Sequence, residues 1–105
     1  MDSMSRKRPD IPKSLIEGFC KRHYIQKLSV FGSYLREDFG PESDIDFLVG
    51  FEEGHTPGFF EIADMEEELS DLLGGCKVDI RTPHELSRYF RDEVVARAEV
   101  QYAKG

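Results

Sequence analysis

Asp44 and Asp46 stand two residues apart in the run Asp44-Ile45-Asp46-Phe47-Leu48-Val49-Gly50-Phe51, whose apolar character marks a strand over 44–51. Residues i and i+2 of a strand share a face, so the two carboxylates project together while Ile45, Phe47 and Val49 turn to the opposite side. Two ionised carboxylates ~7 Å apart along a strand repel unless a cation lies between them. A third acid, Asp79, sits between Val78 and Ile80 in another short apolar run. It can join the pair if its strand lies beside the first. Hard oxygen ligands gathered in this way suit Mg²⁺, which completes its shell with water and phosphate. A D-x-D pair alone is usually two exposed strand acids; its company alters that reading. Gly32-Ser33 closes an earlier apolar run, where a glycine lets backbone N–H groups approach an anion and a serine adds a hydroxyl donor. Arg36 follows one helical turn later and can direct positive charge to the same phosphates. A phosphate cradle beside a divalent-metal pair is the equipment of phosphoryl or nucleotidyl transfer.

The elements that must position these residues can be read in order. Asp10-Ile11-Pro12 opens a helix over 12–23, with Leu15, Ile16, Phe19 and Cys20 at helical spacing. Residues 26–31 form a first strand ending at Gly32-Ser33, and Gly40-Pro41 marks a turn before the second. Thr56-Pro57 opens a second helix whose Phe59, Ile62, Met65, Leu69 and Leu72 or Leu73 make one apolar stripe, ended by Gly74-Gly75. Residues 76–81 form a third strand. Thr82-Pro83-His84-Glu85 has the form of a capping box, and a helical pattern continues with a break near Arg91 through Val94, Val95 and Ala98. The order α-β-β-α-β-α predicts an antiparallel first pair, then a right-handed parallel crossover. The fold class is α/β (α+β in the stricter sense), a small mixed sheet of about three strands flanked by helices.

The chain has 105 residues, 39% hydrophobic and 33% charged, which suits one soluble domain over 10–105 behind a flexible basic tail at 1–9. No apolar run approaches the ~20 residues of a membrane helix. No apolar stretch follows Arg6-Lys7-Arg8, so no signal peptide is expected. Cys20 and Cys76 match no metal spacing and read as reduced thiols of a cytoplasmic protein. The net charge of −7 is uneven: residues 37–76 hold thirteen acids and no Lys or Arg. That acidic middle argues against a free nucleic-acid substrate and favours cations or a basic partner. The helix acids Glu61, Asp64, Glu66, Glu67, Glu68 and Asp71 read first as a solvated face. His23, His55 and His84 fall in separate elements and are assigned no chemistry. Tyr89, Phe90 and Tyr102 read as core or edge packing, with some available to a partner.

Gly32-Ser33, ten intervening residues and Asp44-Ile45-Asp46 resemble the G-S-x₁₀-D-x-D signature of the DNA polymerase beta-like nucleotidyltransferase superfamily. Val30-Phe31, Glu42-Ser43, Lys77-Val78-Asp79-Ile80 and the closing Arg91-Asp92-Glu93-Val94 fall in register with it. The resemblance runs over roughly residues 12–100. At this size the chain resembles the minimal nucleotidyltransferases, commonly the antitoxin half of a pair whose toxin is a helical HEPN ribonuclease. The resemblance implies the nucleotidyltransferase fold, two Mg²⁺ ions on Asp44, Asp46 and Asp79, and ATP as donor, its triphosphate held by Gly32, Ser33 and Arg36. It implies transfer of AMP to a hydroxyl of the toxin, a tyrosine by preference. The alternative is a non-catalytic antitoxin that silences its partner by occlusion. Tyr34 and Glu37 depart from the pattern, standing where relatives often carry Arg and Gly.

Overall fold

The computed structural model describes residues 11–36, 40 and 43–104. The basic tail at 1–9, Asp10, Glu37, Pro41 and Glu42 lie outside the described residues. Helix α1 spans Lys13–Arg22, followed by strand β1 (Ile25–Phe31), a 3₁₀ turn (Gly32–Leu35), β2 (Ile45–Phe51), α2 (Phe59–Leu72), β3 (Val78–Arg81), a second 3₁₀ turn (Pro83–Glu85), α3 (Arg91–Arg97) and β4 (Glu99–Ala103). The sheet order is β3-β2-β1-β4. β1 is antiparallel to β2 and β4, and β3 is parallel to β2. Among the described residues, no helix is long and apolar enough to cross a membrane.

The alternation of β2 divides the sheet into two chemically different faces. Leu28, Val30, Ile45, Phe47, Val49, Val78 and Ile80 are buried and pack with Ile16, Phe19 and Cys20 of α1 and Met65 and Leu69 of α2. Strand partners share a face, so the pairing of Phe31 with Asp46 and of Asp46 with Asp79 puts both acids on the side away from that core. The α2 crossover makes β3 parallel to β2, as the chain order demanded. Gly74 and Gly75 then end the helix at φ +83° and +94°, a region open to glycine at little steric cost.

The sequence reading carried the last helical pattern through Ala98 and stopped at three strands; Glu99–Ala103 is instead a fourth strand at the sheet edge. Helical spacing puts Phe59 in the buried stripe of α2, yet Phe59 and Phe60 are each 81% exposed. They lie in the first turn of the helix, beyond the part that overlies the sheet, and meet edge to face at 5.6 Å. Leu15 of α1 is likewise exposed, while its neighbour Ile16 enters the core.

Candidate functional site

Parallel pairing sets Asp46 directly beside Asp79. Adjacent strands lie ~4.8 Å apart, so the third acid joins the second as its expected neighbour. Asp44 immediately precedes β2, and its charge adds to the field at Asp46. Burial, then the Asp79 carboxylate, push the Asp46 carboxyl above the usual aspartate range; the Ser33 backbone N–H donated to it pulls the other way.

The Gly-Ser turn lies against this acid. Gly32 adopts φ +68°, and a Cβ there would stand 2.6 Å from Asp46 Oδ2. Glycine is therefore required twice, by backbone conformation and by the carboxylate packed on it. The Ser33 hydroxyl donates to the Asp44 carbonyl at 2.8 Å, tying the turn to the start of β2. Ser33 thus has a structural task in addition to the phosphate contact the sequence suggested. Arg36 closes the 3₁₀ turn through its N–H, which donates to the Ser33 carbonyl at 3.0 Å, and its side chain is exposed.

Asp79 meets different neighbours. The Arg81 guanidinium donates to it from Nε at 3.1 Å and from Nη2 at 2.9 Å. On the open edge of β3, Glu66 of α2 accepts the Ile80 N–H at 2.8 Å. Burial and the Asp79 charge push the Glu66 carboxyl up, against the pull of that N–H. The sequence pattern puts Glu66 on a solvated face with Glu61, Asp64, Glu67 and Asp71; those four are exposed and Glu66 is partly buried. A signal was available: Glu66 follows the buried Met65, on the flank of the apolar stripe rather than opposite it. Glu68 also leaves the solvated face, accepting from Arg22 and bonding His23 at 2.8 Å. His23 also packs on Phe19 at 4.7 Å, and His55 stacks on Tyr24 at 3.9 Å.

Among the described residues, no group of three His, Cys, Asp or Glu side chains is placed to hold a metal ion, so the structure brings Asp46 and Asp79 side by side without gathering Asp44, Asp46 and Asp79 into one ligand cluster. Burial followed by the Asp79 charge raises the Asp46 carboxyl, and Asp46 and Asp79 are two oxygen donors abreast. That suits a hard divalent cation that takes its remaining ligands from water and phosphate.

A glycine turn against a D-x-D strand, with a third acid abreast on the parallel neighbour, is the arrangement of a nucleotidyltransferase-class fold. The chain belongs to the nucleotidyltransferase domain family, whose pattern matches residues 12–101. MJ0128 of Methanocaldococcus jannaschii, assigned as a protein adenylyltransferase, is 42% identical over 60 residues, covering 57% of this chain and 58% of the relative. The chain therefore spans less than two thirds of that relative's length. A solved structure assigned as a minimal nucleotidyltransferase is 35% identical, with a TM-score of 0.66 over 82% of this chain and 85% of its own. A chain in the solved complex of the tri-AMPylated Shewanella oneidensis HEPN toxin with its MNT antitoxin matches with a TM-score of 0.63. It is 20% identical over 88% of this chain and 70% of its own, a likeness of fold.

Proposed function

We propose that this chain is a Mg²⁺-dependent, cytoplasmic protein adenylyltransferase that moves AMP from ATP to a hydroxyl, a tyrosine by preference, of a helical HEPN-type toxin and so acts as its antitoxin. The observation that carries the reading is the juxtaposition of Gly32-Ser33, Asp46 and Asp79 on one face of the sheet. The names of the relatives supply the acceptor and the partner. Two Mg²⁺ ions, on Asp44, Asp46 and Asp79, would offset triphosphate charge and favour ionisation of the acceptor hydroxyl. The acceptor oxygen attacks the α-phosphorus, the bond to the β-phosphate bridging oxygen breaks, and pyrophosphate leaves. Asp79, on the edge strand, would take the proton of the incoming hydroxyl. The Gly32-Ser33 turn would hold the triphosphate, with the Ser33 N–H donated to Asp46 and fixing the turn against the acid, and Arg36 would add charge beside it.

Intact-mass spectrometry of the partner, incubated with this protein, ATP and Mg²⁺, tests the proposal. Additions of ~329 Da, one AMP each, are expected, and none with the double variant Asp44→Ala/Asp46→Ala, although the complex still forms. Neutralisation of the toxin at unchanged mass, with the double variant equally protective, would establish occlusion instead.

A further inference from the structure

The carboxylate pair can be approached from two sides, and only one of them suits a triphosphate. On the Asp46 side lies the glycine turn with its N–H groups. On the Asp79 side a groove of about 510 Å³ opens between β3 and the start of α2. Phe51, Phe59 and Ile62 form its apolar wall, and Glu66, Asp79 and Glu85 supply three carboxylates. Among the described residues, Arg81 is the one cation lining it, and Arg81 is already bonded to Asp79. Gly32, Ser33, Asp44 and Asp46 do not line this groove. Three acids against one committed guanidinium repel phosphate and attract ammonium or guanidinium groups. Phe59 of this wall meets Phe60 edge to face, and the two rings, each 81% exposed, are the kind of apolar surface that marks an interaction site.

We infer that this groove is the docking site for the acceptor segment of the partner protein, recognising an aromatic residue by the Phe51–Phe59–Ile62 wall and a neighbouring Lys or Arg by Glu66 and Glu85. The inference rests on the transferase reading and gives that site its acceptor side. Entry past Phe59 brings a side-chain hydroxyl to Asp79, while the donor phosphates occupy the Asp46 side. Donor and acceptor then reach the α-phosphorus from opposite directions, as an in-line displacement requires. The thirteen acids and absence of Lys or Arg over 37–76 extend the same preference beyond the groove.

The probe is a fluorescein-labelled peptide with one tyrosine flanked by Lys and Arg, followed by anisotropy against the full chain. The parent should bind it. Phe59→Ser/Phe60→Ser, at exposed positions that leave the fold and its melting temperature intact, should weaken binding about tenfold or more, the scale of losing one well-buried anchor. Mg²⁺-dependent binding of a non-hydrolysable ATP analogue should stay within about twofold of the parent. Peptides with Tyr→Ala or with Glu in place of Lys and Arg should bind correspondingly less well. Equal peptide binding by parent and variant, or none by the parent, overturns the inference, as does a concentration-dependent dimer abolished by the double change, which would assign the groove to a second copy. If the peptide results hold and the parent transfers no AMP, the groove stands as a docking surface and the transferase reading fails. If transfer to the partner is unaffected by Phe59→Ser/Phe60→Ser, the transferase stands and the groove assignment fails.

Discussion

Asp46 and Asp79 lie abreast on one face of the sheet, yet they are held in opposite ways. Asp46 belongs to an inner strand, with Phe31 paired across from it, Gly32 packed on its carboxylate and the Ser33 N–H donated to it. The neighbours on that side are backbone groups of β1 and the turn, which give way less readily than side-chain ends. Asp79 is on an edge strand of four residues, and its neighbours are the ends of long side chains, Arg81 and Glu66. Those can swing away at the cost of rotamer entropy and a partly exposed ion pair. A rigid side and an adaptable side suit a nucleotide whose phosphates never vary and an acceptor that must arrive and leave.

The largest effect should come from disturbing the rigid side. Asp46→Asn is expected to reduce AMP transfer by at least about 10²-fold, the scale of removing one preorganised electrostatic group, and to abolish the rise in melting temperature on adding Mg²⁺. A Mg²⁺-dependent rise of the parent's size in the variant would remove Asp46 from the metal site. Gly32→Ala should cost about 2–4 kcal/mol in urea unfolding, because it combines positive-φ strain with overpacking on Asp46. From sequence, a side chain at Gly32 is expected only to obstruct phosphate; the 2.6 Å approach means that it disturbs the fold as well. On the adaptable side, Glu66→Ala leaves the Ile80 N–H without its acceptor and should cost about 1–3 kcal/mol. Glu66→Gln keeps an oxygen there, so equal losses in the two variants would show that the hydrogen bond does not hold the edge of β3.

The contrast also separates what could be read from the chain from what could not. The D-x-D pair, the alternation of β2 and the crossover that sets β3 beside it follow from period-two geometry and chain order, so the Asp46–Asp79 pairing was legible. The Gly-Ser turn was legible by type, though its hidden reason, the carboxylate on Gly32, was not. β4 left little mark because it pairs through backbone while Glu99 and Val100 face outward, and Tyr102 is its main contribution to the core. A backbone ladder is blind to side-chain type, and the preceding Val94, Val95 and Ala98 invited continuation of a helix. The same limit applies to Tyr89, 90% exposed, and Phe90, whose composition suggested packing. Arg91, by contrast, acts through backbone acceptors: its Nε donates to the Pro83 carbonyl at 2.7 Å and its Nη2 to Leu86 at 3.0 Å, fixing the turn after β3.

The smallest predicted effects concern pH, and they have opposite signs in two parts of the molecule. Glu68 lies at the α1–α2 seam. Its partial burial raises its carboxyl, but the His23 and Arg22 hydrogen bonds prevail and hold it below its ordinary value of 4.5. A depressed carboxylate contributes stability above its unfolded pKa and loses it as pH falls through the folded value. Glu68→Gln should therefore weaken the fold at pH 7, by under about 1 kcal/mol because the pair is partly solvated, and the difference should vanish well below pH 4.5. Asp46 behaves in the reverse sense. Its carboxyl is raised from 3.8, chiefly by burial and by Asp79, so its favourable protonated form is lost as pH rises through the folded value. In Mg²⁺-free buffer Asp46→Asn should then be more stable than the parent at pH 7, and the gain should disappear below about pH 3.8. Urea midpoints of the parent and both variants between pH 3 and 7 read the two differences side by side. A loss of stability in Asp46→Asn at pH 7 would show that the Ser33 N–H outweighs the crowding of carboxylates, leaving no repulsion for a metal ion to relieve.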